Sequence, residues 1–263
     1  MQILKYGSRG EEVRLLQRAL NQILHKSIKP DGDFGKLTEE LLRAYQKKEG
    51  LTVDGVYGQQ CFNKLDPFIS YKYLRISDID KAANVARLPS NILKAFRVVE
   101  AKGDGFLPDG RVVILFERHK FYQYLSSARG KAFADATVKK HPSICNPARG
   151  GYLGNEKEYI RIERAAAIDR NCALMSASYG LFQIMGFNHK AAGYNDVTNY
   201  VKAMEANEHN HLDAVISFIK KNRNLHNAIL AKDFKNIAYY YNGSAYAEHG
   251  YDKRLRDAAR QFS

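Results

Sequence analysis

Asn91-Ile92-Leu93-Lys94-Ala95-Phe96-Arg97-Val98-Val99-Glu100-Ala101-Lys102-Gly103 is the stretch around which the rest of the chain can be read. Ile92, Phe96 and Val99 recur at the spacing of one helical face, with Leu93, Ala95 and Val98 beside them. Glu100 follows Ile92 by eight residues and Phe96 by four, so it shares the apolar stripe. Gly103 offers the helix a stop. A carboxylate on the last turn of an apolar helix costs desolvation free energy. Its usual use is as an acid kept protonated near neutral pH, ready to donate a proton. The competing reading is a boundary glutamate paired at the surface with Lys102 or Arg97.

Downstream, a loop dense in turn formers (residues 103–110) leads into Val112-Val113-Ile114-Leu115-Phe116. Five consecutive apolar residues, mostly branched, predict a short buried strand. Glu117 stands at its end, before Arg118-His119-Lys120-Phe121. Two glutamates thus emerge from two buried elements, as glycoside hydrolysis requires: one acid for the leaving oxygen, one carboxylate for water or the developing cation. The alternative for Glu117 is a salt bridge to Arg118 or Arg111.

Upstream, the chain carries an internal echo. Asp31-Gly32-Asp33-Phe34-Gly35 and Asp54-Gly55-Val56-Tyr57-Gly58 both read Asp-Gly-x-aromatic-Gly. Asp-Gly supplies a turn with glycine at positive φ, and the aromatic returns to the core. Helical patterns follow each turn (Leu37, Leu41, Leu42, Tyr45; Cys61, Phe62, Leu65), and another precedes them (Val13, Leu16, Leu20, Ile23). Together they predict a small bundle of three helices. Pro67 and the aperiodic residues after it place a linker at 68–76. Ser77 with Asp80 resembles a capping box that opens the next helix.

Composition excludes several classes. No apolar run approaches the ~18 residues of a membrane span, and the N-terminus lacks the basic and apolar regions of a secretory signal. Cys61, Cys145 and Cys172 are too scattered for a disulfide framework or zinc knuckle, so buried free thiols are expected. His209 and His211 lack the spacing of a metal site, and no metal or cofactor is expected. The net charge is +13, with 11 basic and 9 acidic residues in positions 1–67, so the excess lies beyond them. Such charge suits nucleic acid, an anionic membrane surface or an acidic polymer. No DNA-reading motif accompanies it, and no nucleic-acid partner is expected.

Two later motifs carry sugar-binding chemistry. Ser178-Tyr179-Gly180-Leu181-Phe182-Gln183-Ile184 follows an alanine-rich helical stretch (161–173), and Tyr241-Asn242-Gly243 comes further on. Gly180 would let the backbone approach a sugar, Ser178, Gln183 and Asn242 can hydrogen-bond its acetamido and hydroxyl groups, and tyrosines stack on its rings.

These two segments resemble the Ser-x-Gly-Leu-Met-Gln-Ile and Tyr-Asn-x-Gly motifs of the lysozyme-like superfamily. With Glu100-Ala101-Lys102-Gly103 and Leu115-Phe116-Glu117-Arg118-His119-Lys120-Phe121, residues 77–263 resemble the N-acetylmuramidase domain of modular phage endolysins. Gly7 to Gln17, the first Asp-Gly turn, Tyr45-Gln46 and Gly50 to Gly58 resemble the peptidoglycan-binding domain of cell-wall hydrolases. The resemblance implies a mainly α protein: a three-helix peptidoglycan-binding domain (1–67), a linker (68–76) and a lysozyme-like α+β catalytic domain with a short β-hairpin (77–263). It implies hydrolysis of the β-1,4 bond between N-acetylmuramic acid and N-acetylglucosamine, with Glu100 as general acid and Glu117 as second catalytic carboxylate. Ser178, Tyr179, Gln183, Tyr241 and Asn242 become the expected saccharide contacts. A lytic transglycosylase, forming 1,6-anhydro ends with one glutamate, stays open as an alternative, as does a non-catalytic wall-binding protein.

Peptidoglycan is the expected partner and a monomer the expected state. The family implies storage in the host cytoplasm and release through a separate holin-type pore. Tyr251, Leu255, Ala258, Ala259 and Phe262 predict a C-terminal helix with Lys253, Arg254, Arg256 and Arg260 mostly on its other side. That helix closes the fold, or it attracts anionic envelope lipids as basic amphipathic helices can.

Overall fold

The computed structural model describes residues 1–101, 104–244, 247 and 250–262, so the expected helix stop at Gly103 lies outside the described residues. The chain divides into two compact units, Met1–Arg75 with Phe106–Arg111, and Ile76–Gly105 with Val112–Ser263. Among the described residues are fourteen α-helices and one three-stranded antiparallel sheet. None of these helices is long and apolar enough to cross a membrane.

The first unit is built on α1 (Glu11–Leu24), α2 (Lys36–Lys48) and α3 (Gln59–Lys72). Val13, Leu16, Leu20, Leu42 and Leu65 form its fully buried centre, and Phe34 and Tyr57 plug in from the two Asp-Gly turns. A buried glutamine clamps each turn in the same way. Gln17 accepts from Gly32 N (2.9 Å) and donates to Asp31 Oδ1 and Asp33 O. Gln46 accepts from Gly55 N (2.9 Å) and donates to Asp54 Oδ1 and Val56 O. The internal echo is therefore a repeated helix-to-turn hydrogen-bond set, with each aspartate held below its usual range by the backbone and glutamine donors around it.

The expected linker is mostly helix. α3 runs through Pro67 to Lys72, with Leu65 and Ile69 buried on either side of the proline. Pro67 is exposed, so the carbonyl that loses its partner, four residues back at exposed Asn63, is left to water. The packing of two large apolar residues outweighs that loss.

In the second unit, α4 (Ile76–Ala86) leads to α5 (Ser90–Ala101). Ser77 falls inside the first turn of α4 rather than at its cap, and Asp80 instead pairs with Lys94 of α5 at 2.6 Å. Ile92, Leu93, Ala95 and Phe96 are fully buried, while Val98 is exposed and Arg97 is buried. Strand β1 (Ile114–Phe116) is followed by α6 (Arg118–Arg129), α7 (Lys131–Lys140), α8 (Lys157–Ala166) and α9 (Arg170–Met175). The alanine-rich stretch is thus two helices, with Asp169 capping the second by accepting from Cys172 N.

β2 (Ala177–Tyr179) and β3 (Ile184–Met185) form the expected hairpin and add β1, giving the order β1-β2-β3. Leu115 lies opposite Ser178, and Ser178 opposite Met185, so these three share one face. Phe116, Ala177, Tyr179 and Ile184 turn to the other face and are buried. Helices α10 (Val197–Ala206), α11 (Glu208–Lys221), α12 (Arg223–Leu230) and α13 (Phe234–Asn242) follow, each opened by an Asp or Asn that accepts an amide of its first turn. Val201, Met204, Leu212, Val215, Phe218 and Ile219 are core residues, as the helical spacing predicts. α14 (Tyr251–Arg260) packs on α5 and buries Tyr251, Leu255, Ala258 and Ala259. All three cysteines are free and buried.

Candidate active site

Glu100 projects from the last turn of α5, held by packing from behind. Phe96, one turn earlier, stacks on Tyr241 of α13 (ring centroids 4.2 Å apart, planes 21° apart). Phe218 meets the same tyrosine edge-on, and the Tyr241 hydroxyl donates to Phe182 O at 2.6 Å. The Tyr251 hydroxyl at the start of α14 donates to Glu100 Oε1. Arg254, one turn further, donates to Val99 O. Burial raises the Glu100 carboxyl from its ordinary 4.5 to about 7, against the opposing effects of the Tyr251 hydrogen bond and the Arg254 charge. Of the two surface partners suggested for a boundary glutamate, Arg97 is itself buried and Lys102 lies outside the described residues.

Glu117 sits at the junction of β1 and α6, its amide donating to Ser176 O at 2.9 Å. The preceding residue is clamped by a buried ion pair. Glu158 Oε2 accepts from Phe116 N, and Arg161 donates to Phe116 O at 2.8 Å and to Glu158 at 2.7 Å. Glu158 Oε1 also accepts from Leu153 N and Gly154 N, tying the 150–154 turn to the same clamp. From that turn the Tyr152 hydroxyl reaches both carboxylate oxygens of Glu117 at 2.9 Å. His119 Nδ1 lies 3.0 Å from Oε2. Desolvation lowers the His119 pKa, the Glu117 charge opposes this, and Arg149 and Lys120 lower it further. The imidazole is therefore neutral near pH 7, and the contact is no ion pair there. The two arginines suggested as its partners make other contacts. Arg118 donates to Ala148 O, Arg149 O and Pro142 O, and Arg111 pairs with Asp109.

Both glutamates line one groove of about 590 Å³. Its sheet wall is the Leu115, Ser178, Met185 face, and its far side is formed by Tyr240, Tyr241 and Asn242. Of the expected saccharide contacts, Ser178, Gln183, Tyr241 and Asn242 line this groove; Tyr179 does not. Strand alternation turns the Tyr179 ring into the core, where its hydroxyl donates to Leu174 O. Gly180 also differs from expectation. Its φ is +70°, and an added Cβ would stand 2.5 Å from the His211 ring, so the glycine accommodates a buried histidine. That histidine accepts from Leu181 N at Nδ1 and contacts Met204 O through Nε2, which fixes the neutral Nε2–H tautomer. Gln183 receives Ser178 Oγ (2.6 Å) and spends its amide hydrogens on Gly180 O and Val113 O. Among the described residues, no group of three or more His, Cys, Asp or Glu side chains is placed to hold a metal ion.

Residues 89–263 match the N-acetylmuramidase family, and residues 9–65 match a peptidoglycan binding domain. The chain belongs to the N-acetylmuramidase family. It is similar to the crystal structure of a Burkholderia AP3 phage endolysin, with 38% identity over 99% of each chain and a TM-score of 0.65. The muramidase is a glycoside hydrolase acting on peptidoglycan, with a wall-binding domain ahead of it.

Sequence reasoning missed the residues that hold Glu100 and Glu117 in place. In the sequence Tyr251 is only one member of an apolar face, and it stands 151 residues from its partner. Tyr152 lies in a turn with no periodicity. Glu158 and Arg161 are spaced for an ordinary helical salt bridge. Only their near-complete burial reveals the clamp.

Proposed function

We propose that the chain is a phage endolysin and that Glu100 protonates the oxygen bridging N-acetylmuramic acid and N-acetylglucosamine. Glu117 activates water or stabilises the oxocarbenium-like state. The observation that carries this reading is a carboxyl raised to about 7 in a groove that a second carboxylate also lines. An acid with a pKa near 7 is largely protonated in mildly acidic surroundings, about half protonated at neutral pH, and gives up its proton readily. Tyr152 keeps both oxygens of Glu117 oriented, and His119 is a neutral neighbour rather than a competing cation.

The Asn242 amide binds acetamido and hydroxyl groups, Ser178 Oγ, whose own hydrogen goes to Gln183, accepts from them, and half-buried Tyr240 offers a ring face for stacking. Gln183 and Tyr241 act by fixing the groove walls, since their own hydrogen bonds go to the protein. The wall-binding unit keeps the enzyme on its polymer. Attraction to anionic envelope lipids falls to the charged side of α14, because its apolar side packs on α5. The enzyme works as a monomer. In the endolysin role, a holin-type pore made by another protein gives access to the wall.

Mass spectrometry of digested peptidoglycan tests the reaction. Reducing muramic ends are expected; anhydro-muramic ends would mean transglycosylation, and reducing glucosamine ends a different bond. Glu100→Gln should abolish release of ends while wall binding and the circular dichroism spectrum stay unchanged. Glu117→Gln should slow release by at least tenfold, within the usual 10²–10⁴-fold span of acid–base catalysis or somewhat below it.

A further inference from the structure

The muramidase groove carries cations that its chemistry does not use. Arg149 and Lys120 line it beside Glu117 and His119. Arg149 is exposed and forms no ion pair among the described residues. Its backbone is nonetheless fixed, since Arg118 donates to Ala148 O at 2.9 Å and to Arg149 O at 2.7 Å. Lys120 Nζ rests 3.2 Å from Gln123 Oε1 and 5.3 Å from the Phe187 ring centroid, again without a carboxylate partner. The two charges act inside the groove, because both depress His119.

An uncharged saccharide gives no reason for two unpaired cations at this place. N-acetylglucosamine carries no ionisable group. N-acetylmuramic acid differs from it by a lactyl ether on C3, which ends either in a carboxylate or in a stem peptide that itself bears carboxylates. In a muramidase, C1 of the muramic residue is the atom under attack, so C3 of the same ring and its branch lie close to the two glutamates. We propose that Arg149 and Lys120 receive a carboxylate of this branch, placing muramic acid rather than glucosamine on the cleaved side of the groove. Arg149 offers a planar fork of donors suited to a carboxylate, and Lys120 adds a point charge. The assignment rests on the muramidase reading of the groove and adds to it the feature by which the two sugars are told apart.

The test compares three substrates with wild type and with Arg149→Gln, Lys120→Gln and the double variant. The first is intact peptidoglycan, and the second is glycan strands freed of stem peptides by an amidase, leaving the lactyl carboxylate. The third is the same strands with that carboxylate converted to a methylamide by carbodiimide coupling. A lost charge-assisted hydrogen bond corresponds to about a tenfold to hundredfold fall in kcat/KM. The double variant should lose at least tenfold more on a charged substrate than on the methylamide strands, and Arg149→Lys with Lys120 intact should recover much of the loss. A loss confined to intact peptidoglycan assigns the carboxylate to the stem peptide. A loss on the stripped strands assigns it to the lactyl group itself. Equal losses on all three substrates, or none, overturn the proposal. Failure of the wild type to release reducing muramic ends from any of them overturns the muramidase reading instead. Thermal melting of each variant separates misfolding from lost recognition, and either single variant suffices if the double does not fold.

Discussion

Replacing Glu100 with Gln removes a group that the fold holds in its less comfortable state above neutral pH. The carboxyl is raised from 4.5 to about 7 by burial. Because the folded-state value is the higher, its favourable contribution is fully present below about pH 4.5 and is lost as pH rises through about 7. At roughly 1.36 kcal/mol for each pH unit between the two values, the loss approaches about 3 kcal/mol. The side chain meets the solvent of the groove, so about 2 kcal/mol is the more realistic expectation. Glutamine keeps the size and can still accept from the Tyr251 hydroxyl without carrying charge. Glu100→Gln should therefore melt close to wild type at pH 4.5 and about 4–8 °C above it at pH 8, given ~2–4 °C per kcal/mol for a domain of this size. Differential scanning calorimetry across pH 4–9 measures both curves, and the gap should open between pH 5 and 7. A constant gap, or a variant less stable than wild type at pH 8, would refute the claim that burial strains the ionised form.

Tyr251→Phe removes a hydrogen bond that favours ionised Glu100, so the alkaline limb of the pH–activity profile should move up by about one pH unit; an unmoved limb would show that the phenol does not tune the acid. Gly180→Ala forces a side chain onto the His211 ring at positive φ. It should cost about 2–4 kcal/mol in urea unfolding, and a neutral result would mean the ring has room to yield. Arg161→Met leaves Glu158 buried without its cation. It should destabilise by about 3–5 kcal/mol. Activity of the molecules still folded should also fall, because the clamp on Phe116 sets the position of Glu117; full activity per folded molecule would contradict that role. Association with anionic vesicles, attributed to the charged side of α14, should vanish at about 1 M salt, where the Debye length is ~3 Å. Binding that survives would indicate apolar insertion.

What the sequence made legible follows from the range of the forces concerned. The Asp-Gly turns, the three helices around them and the stripe carrying Glu100 are local patterns. Glycine's freedom at positive φ and the 3.6-residue period act within a few residues, and Phe34, Tyr57, Ile92 and Phe96 are buried as those patterns predict. Pro67 misleads for the same reason. Its local meaning is a break, but buried Leu65 and Ile69 lie on both sides of it, and the unmet carbonyl faces water. Tyr179 shows a finer failure. A motif names residues without stating strand parity, and the parity set by Ser178 facing Leu115 and Met185 sends the next side chain into the core.

The groups that hold the two glutamates in place are long-range. Tyr251 reaches Glu100 from the far end of the domain, and Tyr152 reaches Glu117 across 35 residues. Both partners are tyrosines donating to a carboxylate, yet burial raises Glu100 to about 7. Glu117 stands instead on a wall with His119, Lys120 and Arg149. What packs around each hydrogen bond differs: Phe96 and Tyr241 stand behind Glu100, and the 150–154 turn tied to Glu158 stands beside Glu117. Two carboxyls with the same kind of partner can thus serve the two different roles proposed for them, because the fold packs different groups around each.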